Sequence, residues 1–214
     1  MKKIILAIAL VCVSSFALTL EDVKRDLSVN LVNPDSLEYR VHMVVSVPKF
    51  GSQATDYHYV TKGKNKVYFE MRSPFINQRM IQSGKKMKTI DLVTQKERIT
   101  PYNGEIEKLS SVQNGSDALS SGNWKEPVRL EGSLYKIEGD SSIVYYDSAK
   151  KQVQKMEQKV GENSSVTTFE YDSATKQIST MHISVMVGTQ ETKVDMTFSV
   201  YRSSANFPDR YFEF

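Results

Sequence analysis

Cysteine is nearly absent from this chain of 214 residues. The single Cys12 cannot form an internal disulfide, so packing alone must hold the fold. Histidine is scarce as well: His42, His58 and His182 stand far apart without metal-ligand spacing, and no metal site is expected. There is no Gly-x-Ser-x-Gly elbow, no phosphate-cradling glycine loop and no His-Glu-x-x-His pair. Acid pairs such as Glu105/Glu107 and Asp35/Glu38 fall in turns or on solvent faces, so neither catalysis nor a cofactor is expected. A charge excess is also missing. Without Lys2 and Lys3 the chain has 26 basic against 25 acidic residues, which gives no electrostatic case for nucleic acid or an anionic membrane surface. No apolar run approaches the roughly 20 residues that span a bilayer.

The longest apolar run, Ile4 to Val13, follows Lys2 and Lys3 and leads to Ser15-Phe16-Ala17, a small-x-small pattern. Residues 1–17 therefore read as a cleaved secretory signal peptide, and 18–214 as a single domain. Cys12 is preceded by Val11 rather than by the Gly, Ala or Ser of bacterial lipoprotein signals, so no lipid anchor is expected.

What is present changes period twice. Leu20, Val23, Leu27 and Leu31 recur at helical spacing, with Glu21, Asp22, Lys24, Arg25 and Asp26 on the other side. Thr19 and Asp22 form a variant capping box, and Asn33-Pro34 ends the helix. From Leu37 the period is two: Leu37, Tyr39, Val41, Met43, Val45 and Val47 alternate with largely polar neighbours. Further strands are predicted near 55–62, 65–73, 78–83, 86–92, 96–100, 127–138, 142–147, 152–160, 165–172, 177–187 and 192–201, in a large antiparallel sheet. In the last of these Val194, Met196, Phe198 and Val200 share one face.

Tyr146-Asp147-Ser148-Ala149-Lys150-Lys151-Gln152-Val153 recurs 25 residues on as Tyr171-Asp172-Ser173-Ala174-Thr175-Lys176-Gln177-Ile178. Each copy reads as a strand entering an Asp-initiated turn, and Asp91 to Gln95 resembles a looser copy. The segment from Gly104 to Trp124 breaks the pattern, with a short helix expected near Glu105 to Val112 and a Ser-, Asn- and Gly-rich loop beyond. Asn114 and Asn163 match the glycosylation sequon, as such loops do by chance. Nine Met and nine Phe, many on the alternating faces, suit either a plain core or a surface for flexible hydrophobic ligands.

The order of these parts, with "KVYFEMRSPFINQRMIQSGKKMKTIDLVTQKERI" in the sheet, resembles the LolA-type periplasmic lipoprotein carriers and the wider outer-membrane lipoprotein-sorting group. Phe69 and Pro74 keep the family's aromatic-to-proline spacing of five. Ser83-Gly84-Lys85 matches its Asp-Gly-Lys-like turn with one extra residue before it, and Asp91 matches the aspartate that follows. "NFPDRYFEF" looks like the family's closing segment. One departure stands out: where the family has a basic residue and a proline before this strand, with an arginine that helps hold a lid closed, this chain has Gly63-Lys64 beside Lys62.

The resemblance implies a mainly β (α+β) fold, a half-open antiparallel β-barrel whose concave apolar face is covered by the N-terminal amphipathic helix and short helices. It implies a non-catalytic periplasmic carrier or binding protein for acylated lipoproteins or other lipids moving toward the outer membrane. The lipid-binding residues would be Val67, Phe69, Met71, Leu20, Val23, Leu27, Met196 and Phe198, acting in a monomer. An inner-membrane transporter and an outer-membrane acceptor are the further partners it implies. The alternative on the same fold is a periplasmic sensor or interaction module that regulates an envelope membrane protein.

Overall fold

The computed structural model describes residues 18–30, 36–63, 65–102, 119, 122–203 and 207–214. The expected signal peptide, the helix near Glu105 to Val112 and the helix end at Leu31 to Pro34 lie outside them.

Helix α1, Leu20–Asn30, starts where the capping residues predict. The Asp22 backbone N–H donates to Thr19 Oγ1 at 3.2 Å, and the Thr19 N–H donates to the Asp22 carboxylate at 3.2 Å. Thirteen strands follow. They are β1 (Ser36–Val47), β2 (Gly51–Lys62), β3 (Lys66–Arg72), β4 (Asn77–Ser83), β5 (Lys86–Asp91), β6 (Glu97–Pro101), β7 (Val128–Glu131), β8 (Leu134–Glu138), β9 (Ser142–Asp147), β10 (Gln152–Val160), β11 (Asn163–Tyr171), β12 (Ile178–Val187) and β13 (Gln190–Ser203).

All thirteen belong to one sheet in the order β6-β5-β4-β3-β2-β1-β13-β12-β11-β10-β9-β8-β7. Two meanders, β1 to β6 and β7 to β13, are thus joined by the antiparallel pairing of β1 with β13. The outermost strands β6 and β7 pair with one neighbour each, so the sheet stays open.

The predicted turns take the predicted form. Asp147 Oδ1 accepts from the N–H groups of Ala149 and Lys150, Asp172 Oδ1 from Ala174 and Thr175, and Asp91 Oδ1 from Val93 and Thr94. In each case the fourth residue after the aspartate, Lys151, Lys176 or Gln95, has a positive φ. The looser third copy is therefore the same turn.

Two expectations are corrected. The strand expected over 127–138 is a hairpin, β7 and β8, because Gly132 adopts φ +55° and reverses the chain, while Leu134 keeps the phase of Val128 and Leu130 across it. The strand expected near 55–62 starts earlier, at Gly51. Ser52, Gln53 and Ala54 pair with Ser46, Val45 and Val44, but all three are exposed and leave no apolar rhythm to read.

Two faces result. Tyr59, Val67 and Phe69 share one cluster, whereas their neighbours Val60 and Tyr68 join another on the opposite side. The first face also carries the cluster that receives α1. We call it concave and the other convex.

At the far edge Trp124 bridges to Gly139 in the turn between β8 and β9. A methyl group on Gly139 would lie 2.9 Å from the Trp124 ring, inside any normal contact. Gly139→Ala should therefore displace the indole, shift its fluorescence and cost about 1–3 kcal/mol by urea denaturation.

Candidate lipid-binding face

On the concave side the apolar residues form two clusters. Val23 and Leu27 of α1, with Leu20, pack on Ile137, Val144, Tyr146, Val153, Phe169 and Met181 of β8 to β12, and Leu119 joins them. Tyr39, Val41, Tyr59, Val67 and Phe69 form the second cluster over β1 to β3, with Met71, Met80 and Met87 packed against it. Met196 and Phe198 of β13 contact both clusters. The register explains why: Met196 lies between Met43 of β1 and Met181 of β12, and Phe198 opposite Val41.

The eight residues selected from sequence are thus all on the concave face, but not in one place. Val67 and Phe69 are buried and Met71 is half-buried in the second cluster. Leu20, Val23 and Leu27 lie in the first, and half-buried Met196 and Phe198 connect the two. Sequence reasoning missed Tyr39 and Tyr59, whose rings stack 4.7 Å apart, and Tyr57, which lies 5.7 Å from Phe69. It also missed Met80, Met87, Met156 and Met181. Their alternation was visible, but only the register assigns it to this face. Of nine methionines in the chain, six (Met71, Met80, Met87, Met156, Met181 and Met196) belong to the two clusters. One polar group interrupts the apolar lining. Gln82, paired with Val67 and almost fully buried, donates to the Gly84 carbonyl, while its Oε1 has no hydrogen-bond partner among the described residues.

Helix α1 is held to this face by polar contacts as well as apolar ones. The Tyr146 hydroxyl donates to Asp26 Oδ2 at 2.9 Å, and Lys151 Nζ reaches Asp26 Oδ1 at 2.8 Å. At its start the Leu20 N–H donates to Glu126 at 2.9 Å. Burial, then the hydrogen bond to Asp26, pushes the Tyr146 hydroxyl well above its ordinary value and keeps it a donor.

The convex face is filled differently. Val60, Tyr68, Ile81 and Ile90 are covered by Phe207 and Phe212 of the C-terminal segment, whose 3₁₀ turn spans Asp209–Phe212. Lys62, the basic residue nearest the family's missing arginine, bonds the Phe207 carbonyl at 3.0 Å and Asp209 at 3.1 Å. It therefore fastens the C-terminal segment on the side away from α1. The short covering helix expected on the concave side is, at this end of the chain, a convex-face clasp.

Beside the clasp, His58 Nε2 bonds the buried Glu38 at 2.8 Å, and its ring meets Tyr68 and Tyr211 edge-on. Burial opposes ionisation of Glu70, but hydrogen bonds from Tyr68, Arg79 and Arg72 outweigh it and hold the carboxyl at about 2. Burial and the bond to Glu70 push the Tyr68 hydroxyl up to about 12. Among the described residues no group of three or more His, Cys, Asp or Glu side chains could hold a metal ion, and no helix is long and apolar enough to cross a membrane.

With this geometry established, the fold can be placed: it is similar to the folds of a LolA superfamily protein and two other solved structures. A LolA superfamily protein from Nitrosomonas europaea superposes with a TM-score of 0.52 at 12% identity, over 92% of this chain and 98% of that one. A DUF1329 family protein from Desulfovibrio piger gives 0.55 at 10% identity, over 90% and 95%. A domain from Vibrio parahaemolyticus described as outer membrane lipoprotein-sorting gives 0.53 at 10% identity, over 89% and 94%. No protein-family model and no curated protein sequence matches the chain.

Two outcomes follow from these contacts. Asp26→Ala removes the acceptor of both Tyr146 and Lys151, and should cost about 1–3 kcal/mol and speed hydrogen exchange of the α1 amides more than those of β1. The Glu70 carboxyl sits at about 2 instead of its ordinary 4.5, so its contribution to stability is complete above pH 4.5 and fades as pH falls toward 2. In urea titrations Glu70→Gln should be less stable than the parent at pH 6, with the gap narrowing below pH 4.5 and closing only toward about pH 2.

Proposed function

We propose that the protein is a periplasmic carrier or binding protein for acylated lipoproteins or other lipids, and that it shields acyl chains against the concave face without catalysing a reaction. The observation that carries this reading is the concentration of six methionines, with Phe69, Phe169, Phe198 and five tyrosines, on one face of an open sheet. Thioether side chains adapt to flexible partners that have no fixed shape, as acyl chains do. Each CH₂ withdrawn from water contributes about 0.8 kcal/mol, so a partial cover over a chain of many carbons suffices for binding.

Uptake requires α1 to move from β8 to β12. The apolar contacts it loses are replaced by contacts with cargo, whereas the Asp26 bonds to Tyr146 and Lys151 are exchanged for water. The latch therefore sets the balance between closed and loaded states. In this reading Val67, Phe69, Met71, Leu20, Val23, Leu27, Met196 and Phe198 contact the chains. The orphaned Gln82 oxygen is an acceptor for an amide or hydroxyl of the cargo. The carrier acts as a monomer between an inner-membrane source and an outer-membrane acceptor.

The test is native mass spectrometry of protein recovered gently from an envelope fraction, with and without a synthetic acylated lipopeptide. Phe69 is too deeply buried to serve as the probe, because a carboxylate there would damage the fold itself. Half-buried Met71 and Phe198 are the better positions. The parent should form a one-to-one adduct, and Met71→Glu and Phe198→Glu should weaken it at least about tenfold while remaining folded by circular dichroism. A parent that stays folded and empty at saturating lipopeptide sinks the proposal.

A further inference from the structure

The hairpin turns at the two ends of the sheet differ in kind. At one end lie the turns β1–β2, β3–β4, β5–β6, β8–β9, β10–β11 and β12–β13, staggered as the tilted strands of a barrel-like sheet require. Five of these six carry exposed large apolar side chains: Phe50 (81% exposed), Phe75 (75%) with Ile76, Val93, Val160 and Val187. The five turns at the other end, β2–β3, β4–β5, β7–β8, β9–β10 and β11–β12, carry none among the described residues. Exposed lysines stand on three of them: Lys85 and Lys86, Lys150 and Lys151, and Lys176.

Unpartnered Phe and Val at a turn tip are normal singly, but their restriction to one end is a pattern. Its geometry selects the partner. Neighbouring strands are about 4.8 Å apart, so tips two strands apart stand at least roughly 10 Å from each other, and Phe50 stands further from Phe75 because β2 runs on from Asp56, the partner of Arg72, to Gly51. Isolated apolar tips at that spacing make no contiguous centre of the kind a protein interface packs around. A fluid apolar phase accepts each one separately. The charge at this end is nearly balanced: Lys49 and Lys96 on these turns, with Lys159 beside Val160, stand with Asp91, Asp140 and Glu162, and the Asp91 carboxylate is already committed to its own turn.

We propose that this end of the sheet docks on the interface of a phospholipid bilayer, with Phe50, Phe75, Ile76, Val93, Val160 and Val187 inserted among the lipids and the lysine-bearing end turned to water. The concave face would then open beside the bilayer, although the docking itself does not depend on cargo.

Vesicle flotation tests it, using protein exported and processed by its host, its N-terminus verified by mass, and phosphatidylcholine vesicles with and without phosphatidylglycerol. The parent should float with both, about equally in roughly 0.05 and 0.5 M salt, because apolar insertion is not screened. The double variant Phe50→Ser/Phe75→Ser should partition at least about tenfold less, and Lys85→Gln/Lys86→Gln as the parent does. Both serine positions are exposed tips, so the fold is retained. Absence of flotation overturns the proposal. So does flotation indifferent to the serine substitutions, or flotation lost with salt and the lysine substitutions, which would assign binding to the other end. The vesicles hold no lipopeptide and the tips lie outside both concave clusters, so this result and the adduct test can fail separately.

Discussion

The structure depends on one long-range pairing, that of β1 with β13. Every other strand contact is made by a hairpin between neighbours in sequence, and each half of the sheet is a simple meander. Only the register from Leu37↔Ser203 to Ser46↔Lys193 makes them one sheet. Hairpins close small loops at small entropic cost, whereas this pairing closes nearly the whole chain. Its consequence is the concave face itself. Met196 and Phe198 stand between the cluster under α1 and the cluster over β3 because β13 is the seam.

Joining the chain ends at the centre also puts the sheet's two free edges at strands that are adjacent in sequence order. Both are short. β6 has five residues, with Glu97, Arg98 and Pro101, and β7 has four, with Arg129 and Glu131. Short, charged or proline-bearing edges resist pairing with another chain, which a half-open sheet needs more than a closed barrel does. The segment between them must pass from one edge to the other, and its described residue Leu119 is buried in the cluster of α1.

Much of this was legible in the sequence because local physics decides it. The 3-4 spacing of Leu20, Val23 and Leu27, the Thr19–Asp22 cap and the Asp-initiated turns are short-range devices, and each takes the form its residues dictate. What was not legible depends on register or on a backbone choice that leaves no rhythm. Leu134 keeps the phase of Val128 and Leu130 across Gly132 as if no turn were there. Ser52 to Ala54 pair without a buried side chain to mark them. The two-residue period told that Phe69 and Tyr68 face opposite ways, but not that Phe69 would meet Tyr59 and Tyr57 while α1 settles over β8 to β12. Lys62 shows the same limit: the sequence places it beside Gly63-Lys64, and only strand parity assigns it to the convex face, where it holds Phe207 and Asp209.

The two faces also differ in how they are held, and the difference bears on function. On the convex side, rings and ion pairs fix one arrangement: Tyr211 against His58 and Tyr68, Asp209 between Lys62 and Lys66, and Glu70 between two arginines. Such directional contacts tolerate little displacement. On the concave side the contacts are mainly apolar, rich in methionine and without preferred direction, and one buried amide oxygen is left unpaired. Directional contacts there are fewer: Glu126 accepts from the first N–H of the helix, Tyr146 and Lys151 bond Asp26, the Tyr171 hydroxyl donates to the Val153 carbonyl, and the rings of Tyr39 and Tyr59 stack. A cover fastened at a few points over an adaptable surface is suited to exchange for another apolar occupant, whereas lifting the convex clasp breaks the bonds of Lys62 and Lys66 to Asp209 and the ring contacts of Tyr211 with His58 and Tyr68. The two faces of one sheet are thus held by different kinds of contact, and that asymmetry is the one a binding face would need.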